Sequence, residues 1–187
     1  MLLVYSVVAT VGVERIKEQM DRPETTLIGM HGYCTQELVN LLLVGVAASN
    51  VFDGTQLVGE EGSDQLRLRG IERRPAVGLL ALNEAHGHCT VGSHYKAPEE
   101  PIWLCAMESH YSVVFGLQMP PARAEASFEL YFYDELGNQD EQIRLTVDPG
   151  REAPPPDDPD LVPPLELTLR TKWPNAHIDW NGTDPLL

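Results

Sequence analysis

The chain has 187 residues, which is enough for one domain with a sizeable core and too short to predict two. Hydrophobic residues make up 43% of it, a proportion typical of globular proteins and not of disordered ones. The 28 acidic residues outnumber the 13 basic ones, and the net charge of -15 disfavours nucleic acid and anionic membranes as partners.

The N-terminal half is predicted to be mainly helical. Apolar residues recur at helical spacing over residues 3–20, although their β-branched side chains would also suit a strand, and Pro23 ends the run. This stretch is too short to span a bilayer and lacks the features of a signal peptide. We expect a core element and, from its abrupt beginning, a chain that starts inside a domain. Thr35 can cap a second helix over residues 36–48, whose apolar circumference predicts burial.

The C-terminal half is predicted to consist mainly of strands. A Gly-rich acidic loop over residues 52–65 precedes a short strand candidate, and residues 75–88 are ambiguous between helix and strand. Four further strand candidates are apolar runs bounded by turn residues: 102–108, 111–118, 128–134 and 143–148. Residues 149–164 are Pro-rich and acidic with no capacity to pack, and they predict a mobile loop.

A histidine lies at the join between two of these strand candidates. His110 follows Glu108 and Ser109, where a hairpin would present it to solvent. A histidine serves as a general base at neutral pH when a partner orients its ring. If residues 111–118 pair antiparallel with residues 128–134, Asp134 or Glu135 falls beside the imidazole and could hold it as in a Cys-His-Asp arrangement. The alternative is a surface histidine beside a turn aspartate, and spacing alone does not separate the two.

The three cysteines have unrelated spacings and no CxxC pair, which indicates a reducing compartment; we expect the cytoplasm, and the nucleus as a further location. Cys34 lies near a helix N-terminus, which favours a thiolate and makes it a candidate nucleophile.

Four residues of one segment, His86, His88, Cys89 and His94, resemble a zinc ligand set, but no second pair completes a tetrahedral site. We predict no metal and no cofactor, and we find no nucleotide-binding motif.

Several long segments resemble the C-terminal part of the catalytic domain of the MINDY deubiquitinases, in the branch that holds the third and fourth human members. The resemblance runs from about Val4 to Pro185, and these segments carry it: HGYCTQELVNLLL, VGSHYKAPEEPIW, ESHYSVVF, LYFYDELGNQDEQIRLTVD and RTKWPNAHIDWNGTDP. It implies an α+β domain of the papain-like cysteine-protease type, with helices in the N-terminal half and an antiparallel sheet in the C-terminal half. Residues 1–187 would be the C-terminal portion of that single domain, incomplete at the N-terminus.

The resemblance also implies an activity and a catalytic histidine. The family cuts isopeptide bonds in polyubiquitin, with a preference for chains linked through lysine forty-eight, which makes polyubiquitin the expected partner. The segment ESHYSVVF matches the family's histidine motif, so His110 is the expected general base, and we choose Asp134 as the residue that orients it. Cys34 falls in a structural helix in which relatives can carry serine, and we expect it to be a small buried residue.

The family's nucleophile has no counterpart in this sequence. It lies in a Gly-Pro-Cys-Gly-type segment at the start of an N-terminal helix, with an oxyanion-hole glutamine slightly upstream, and no Gly-Pro-Cys run occurs in the 187 residues. We therefore expect either a fragment of a deubiquitinase or a product that has lost its catalytic half, inactive alone in both cases. The alternatives are a non-catalytic ubiquitin-binding or scaffold protein, and a different thiol hydrolase with Cys34 as nucleophile.

Overall fold

A computed structural model of the chain describes residues 2–59, 65–121, 126–137, 139, 141–154 and 161–185. It divides into two compact units. Unit 1 comprises residues 1–76 and 92–97, and unit 2 comprises residues 77–91 and 98–187. Within the described ranges, no helix has both the length and the apolar composition required to cross a bilayer.

Unit 1 begins with two short helices, α1 (Leu2–Val11) and α2 (Val13–Gln19). The helical prediction for residues 3–20 is confirmed, but Gly12 divides the helix. Gly12 has a φ of 91°, a conformation that residues with a Cβ rarely adopt, so the chain changes direction there. α1 buries none of its residues fully. The buried cluster of this region contains Ile16, Met20, Leu41 and Ala47.

The next helix, α3 (Gln36–Val44), has the predicted cap but a different end. The Thr35 hydroxyl accepts a hydrogen bond from the Leu38 N–H at 3.4 Å, which satisfies one of the free donors of the first turn. The predicted end at residue 48 is wrong, because Gly45 adopts the left-handed conformation, with a φ of 73°, and terminates the helix. The predicted burial of the whole circumference of α3 is also wrong, since the Leu42 side chain is 41% exposed.

Two short strands follow α3 in unit 1. β1 (Thr55–Val58) and β2 (Leu66–Arg69) pair antiparallel, so residues 55–58 are not the loop that we predicted. All four residues of β1 are exposed, and no apolar alternation marks them as a strand. The chain later returns to this unit as α5 (Ser93–Lys96).

Asp53 holds the start of α5. Its carboxylate accepts hydrogen bonds from the Ser93 N–H at 2.7 Å, the Ser93 hydroxyl at 2.6 Å and the His94 N–H at 3.0 Å. Burial by itself would raise the pKa of Asp53, but these hydrogen bonds outweigh it and lower the pKa below its usual value. The ionised carboxylate of Asp53 is therefore the form that accepts these hydrogen bonds at the start of α5.

Asn40 is the buried polar centre of unit 1. Its side-chain amide donates hydrogen bonds to the carbonyl oxygens of Ala48 at 2.8 Å and Asn50 at 3.0 Å. Its side-chain oxygen accepts hydrogen bonds from the Tyr95 hydroxyl at 2.6 Å and the Gln36 amide at 2.9 Å. Every hydrogen-bonding group of a fully buried amide is thus used, which ties α3 to the following loop and to α5.

Unit 2 is built on a six-stranded sheet in which the strands follow one another in chain order. The strands are β3 (Gly78–Ala81), β4 (Ile102–Met107), β5 (His110–Phe115), β6 (Phe128–Tyr133), β7 (Ile143–Glu152) and β8 (Ala176–Asp179). The four predicted strands are confirmed, and the ambiguous segment resolves into β3 followed by α4 (Leu82–Ala85).

The prediction of an antiparallel sheet is wrong at one edge of the sheet. β3 and β4 run parallel, whereas the other neighbouring strands run antiparallel. A parallel pair needs a long crossover connection, and the chain between β3 and β4 contains two helices and about 20 residues. The helix-plus-sheet composition of the predicted α+β class is present, with a mixed sheet in the C-terminal unit.

The Pro-rich stretch predicted as a loop over residues 149–164 contains structure at both ends. Residues 149–152 continue β7, which pairs with β8 across a register shift between Asp148 and Glu152. Pro149 lies at this irregularity, where a residue without an N–H is tolerated in a sheet. The helix α6 (Pro164–Arg170) begins with a proline in its first turn. Residues 155–160, the middle of the predicted loop, lie outside the described residues.

One face of the sheet forms the core of unit 2. α6 covers this face, and Trp173 packs edge-on against Trp103 with 5.6 Å between ring centroids. Alternate residues of the central strands point into this core because side chains alternate between the faces of a sheet. These buried residues include Trp103, Cys105, Val114, Leu130, Phe132, Ile143, Leu145 and Val147.

We predict that Asn40→Leu lowers the free energy of unfolding of the chain by about 3 kcal/mol. The substitution preserves approximate volume but leaves the Tyr95 hydroxyl and two carbonyl oxygens without their buried partner. Urea denaturation measures the loss. Gln56→Leu, at an exposed amide of the same unit, is the control and should change the free energy by less than about 0.5 kcal/mol. Equal effects of the two substitutions would contradict the assigned role of Asn40.

Candidate functional site

A two-residue turn places His110 at the beginning of β5. Met107 and His110 form the last pair of the β4–β5 hairpin, and Glu108 and Ser109 connect them. Glu108 has a φ of 54°, in the left-handed region that tight hairpin turns use. The turn fixes the register of the hairpin, and therefore fixes where the His110 side chain leaves the backbone.

The pairing of β5 with β6 brings Asp134 to the same place. Val114 lies opposite Phe132, and continuing this register places Ser112 opposite Asp134. Val114 and Phe132 point into the core, so the residues two and four positions away along each strand lie on the same face. His110 and Asp134 therefore occupy the end of the core-facing side of the sheet, where the buried face reaches solvent.

The two side chains are joined by a hydrogen bond. His110 Nε2 lies 2.7 Å from Asp134 Oδ2, and the side chains are 33% and 11% exposed, respectively. An ionised carboxylate can only accept, so this contact places the imidazole proton on Nε2 and leaves the Nδ1 lone pair available. Nδ1 has no hydrogen-bond partner among the described residues. Of the two carboxylates that the sequence predicted here, Asp134 makes the contact, whereas Glu135 is exposed.

Asp134 is itself held by its neighbours. Its second carboxylate oxygen, Oδ1, accepts a hydrogen bond from the Leu136 N–H at 2.9 Å. Its backbone N–H donates to the side-chain oxygen of Gln139 at 2.7 Å. Sequence reasoning did not identify Gln139, because a contact between a loop side chain and the backbone leaves no periodic signal. The carboxylate is consequently fixed in place from both of its oxygens and from its backbone.

The three cysteines differ in environment. Cys105 faces the core, and burial raises the pKa of its thiol to about 12, so it is protonated at neutral pH. Cys34 belongs to unit 1 and pairs with Ile28 in an isolated bridge. It is exposed, so our expectation that it is buried is wrong: it precedes the Thr35 cap and lies outside α3. Cys89 is half-buried.

The histidine-rich segment after α4 does not assemble a metal site in the described ranges. No group of three or more His, Cys, Asp or Glu side chains there is arranged to hold an ion. The rings of His86 and His88 lie 6.3 Å apart between centroids. The arrangement at His110 is therefore the one that we consider for chemistry, and it is suited to proton transfer from an acid such as a thiol.

One family model and several curated proteins match this chain. The family model described as "Deubiquitinating enzyme MINDY-3/4, conserved domain" matches residues 1–182. "Probable ubiquitin carboxyl-terminal hydrolase MINDY-4" of Mus musculus and its namesake of Homo sapiens are each 50% identical over 190 residues. Each match covers 100% of this chain and 25% of the relative.

A second relative is more distant. "Ubiquitin carboxyl-terminal hydrolase MINDY-3" of Homo sapiens is 40% identical over 130 residues, which cover 69% of this chain and 28% of the relative. No solved structure matches the chain. The chain thus spans about a quarter of the length of the curated relatives that it matches.

We predict that thiol reagents distinguish the three cysteines of the folded chain. At neutral pH, iodoacetamide should modify exposed Cys34 first and Cys89 more slowly, and it should modify Cys105 only after denaturation. Peptide mass spectrometry at successive times measures the three rates. Modification of Cys105 in the native chain as fast as that of Cys34 would contradict the described burial.

Proposed function

The chain belongs to the MINDY-3/4 family of deubiquitinating enzymes, and from this premise we propose that it forms the part of a ubiquitin isopeptidase that carries the catalytic histidine. The observation that supports this proposal is the hydrogen bond between His110 Nε2 and Asp134 Oδ2, at the end of the sheet where the His110 side chain is partly exposed to solvent. It meets the geometric requirement for a general base, namely a ring held in one tautomer with its second nitrogen available.

In the proposed reaction, His110 Nδ1 takes the proton from a cysteine thiol. The thiolate attacks the isopeptide carbonyl carbon, and the imidazolium then gives its proton to the departing lysine amine. The resulting thioester is hydrolysed by water, with Nδ1 again accepting a proton. Asp134 holds the ring and stabilises the imidazolium through its contact with Nε2. We propose a papain-like arrangement on this basis.

We further propose that the cysteine nucleophile and the oxyanion-hole glutamine are supplied by residues other than these 187. This rests on the resemblance stated above and on the state of Cys105. Cys105 is buried, and burial raises the pKa of its thiol to about 12, so it is protonated at neutral pH.

Polyubiquitin linked through lysine forty-eight is the proposed substrate, as the family resemblance implies. The charge distribution supports a basic partner surface. Unit 2 contains 18 acidic and five basic residues, a net charge of -13, whereas unit 1 contains ten acidic and eight basic residues. A strongly acidic unit attracts a basic face such as that of ubiquitin. The three free cysteines support a reducing location, and we propose the cytoplasm and the nucleus.

We predict that the purified 187-residue chain does not cleave a long lysine-forty-eight-linked ubiquitin chain, because the proposed cysteine nucleophile is not among its residues. A gel assay over several hours at micromolar protein measures this, with mouse MINDY-4 as the positive control. Cleavage by the 187-residue chain itself would contradict the proposed origin of the nucleophile.

A chimera tests the catalytic role directly. In mouse MINDY-4, the matching segment is replaced by this chain, to which it is 50% identical. We expect the chimera to cleave lysine-forty-eight-linked chains in preference to other linkages. His110→Ala should lower kcat/KM by about a thousandfold, and Asp134→Ala by about thirtyfold, because the first removes the base and the second only its orientation.

Glu135→Gln is the matched control for these substitutions, since it removes an exposed neighbouring carboxylate that does not contact His110. It should leave kcat/KM within about twofold. Full activity of the His110→Ala chimera would overturn the proposal. A chimera that binds ubiquitin chains but does not cleave them, while mouse MINDY-4 does, would favour a non-catalytic ubiquitin-binding protein instead.

A further inference from the structure

Asp134 lies one residue beyond the end of β6, so its position is not set by the strand ladder alone. The register between β6 and β7 ends at the pair of Phe132 and Ile143. Asp134 follows Tyr133, the last residue of β6, and is the first residue of the connection that leads to β7. A carboxylate at a strand end normally has considerable freedom, because its backbone is not paired on both sides. The short contact with His110 therefore requires something else to hold this stretch of backbone.

The side chain of Gln139 supplies this constraint. Its Oε1 accepts a hydrogen bond from the Asp134 N–H at 2.7 Å, and its Nε2 donates to the Phe132 carbonyl oxygen at 3.3 Å. In an extended strand, the carbonyl of one residue and the N–H two residues later point to the same edge. The amide of Gln139 bonds to both groups, as the N–H and C=O of one residue in a neighbouring parallel strand would. It extends the ladder of β6 by one residue, up to Asp134.

The remaining contacts make the carboxylate orientation depend on this amide. Oδ1 of Asp134 is already occupied by the Leu136 N–H, within the turn that begins at Asp134. Rotation of the Asp134 backbone would move both carboxylate oxygens, and hence the contact between Oδ2 and His110. Gln139 is half-buried, and it is the one residue in the described part of this connection whose side chain bonds to the Asp134 backbone.

We infer that Gln139 is a positioning residue of the histidine site, which fixes the Asp134 backbone and through it the tautomer and orientation of His110. The inference rests on the proposed function for its catalytic consequence, but the tautomer is a property of the chain that can be measured without activity. Among the described residues, the hydrogen bonds of the Gln139 side chain go to the backbone of Asp134 and Phe132 and not to the imidazole. Its effect passes entirely through Asp134.

The primary test uses the 187-residue chain and nitrogen NMR of the imidazoles, at a pH where His110 is neutral. In the unsubstituted chain, the shifts of His110 should show the proton on Nε2. Gln139→Ala should change them toward a mixture of the two tautomers, as Asp134→Ala should do more strongly. The matched control is Gln142→Ala, which removes an exposed amide from the same connection and should leave the tautomer unchanged.

A second variant covers the case in which Gln139→Ala perturbs the fold, which amide spectra would reveal. Gln139→Glu keeps an acceptor for the Asp134 N–H but, when ionised, cannot donate to the Phe132 carbonyl. Its tautomer distribution should lie between those of the unsubstituted chain and Gln139→Ala. A merely structural role would lower stability and leave the tautomer unchanged, and that result would overturn the inference.

The chimera with mouse MINDY-4 separates this inference from the proposed function. There, Gln139→Ala should lower kcat about tenfold with KM within twofold, because alignment of the base is lost but substrate contacts are not. If the tautomer does not respond to Gln139→Ala while His110→Ala abolishes cleavage, only the role of Gln139 fails. If His110→Ala retains full cleavage, the proposed function fails whatever the tautomer shows.

Discussion

The contact between His110 and Asp134 is possible because two neighbouring strands reach the same level of one sheet with their side chains on the same face. β5 begins where β6 ends, and the antiparallel register brings the two positions together. A shift of one residue in either strand would turn the carboxylate or the imidazole to the opposite face. The 2.7 Å hydrogen bond between His110 and Asp134 therefore depends on the register between β5 and β6. Other features of unit 2 keep this register fixed.

Three features keep it fixed. The two-residue turn at Glu108 and Ser109 sets the β4–β5 hairpin, and it uses a left-handed conformation to do so. The packed face beneath α6 specifies which side of each strand is inside, because apolar side chains there exclude the alternative register. The third feature is local, since the amide of Gln139 extends the pairing of β6 to Asp134. The core thus determines which face each strand buries, and Gln139 in the connection after β6 holds the backbone of Asp134.

The sequence predicted the parts of this arrangement that have a periodic signal. The alternation in β5 and β6, with antiparallel pairing across the loop between them, placed Asp134 or Glu135 beside His110. β1 was missed because its four residues are all exposed, and the break at Gly12 was missed because the helical pattern continues across it. The parallel pairing of β3 with β4 depends on how a crossover packs, which no local pattern encodes. Gln139 acts through one side-chain amide on a strand end, and only coordinates reveal such a contact.

The central claim is that His110 serves a cysteine that is not one of the three in this chain. Mass-spectrometric mapping of the cysteine that reacts with a ubiquitin-tail electrophile, in the chimera with mouse MINDY-4, tests it most directly. We predict an adduct on a cysteine outside the 187 residues, and we predict that His110→Ala slows its formation strongly. An adduct on Cys34, Cys89 or Cys105, or a rate that does not depend on His110, would contradict the claim.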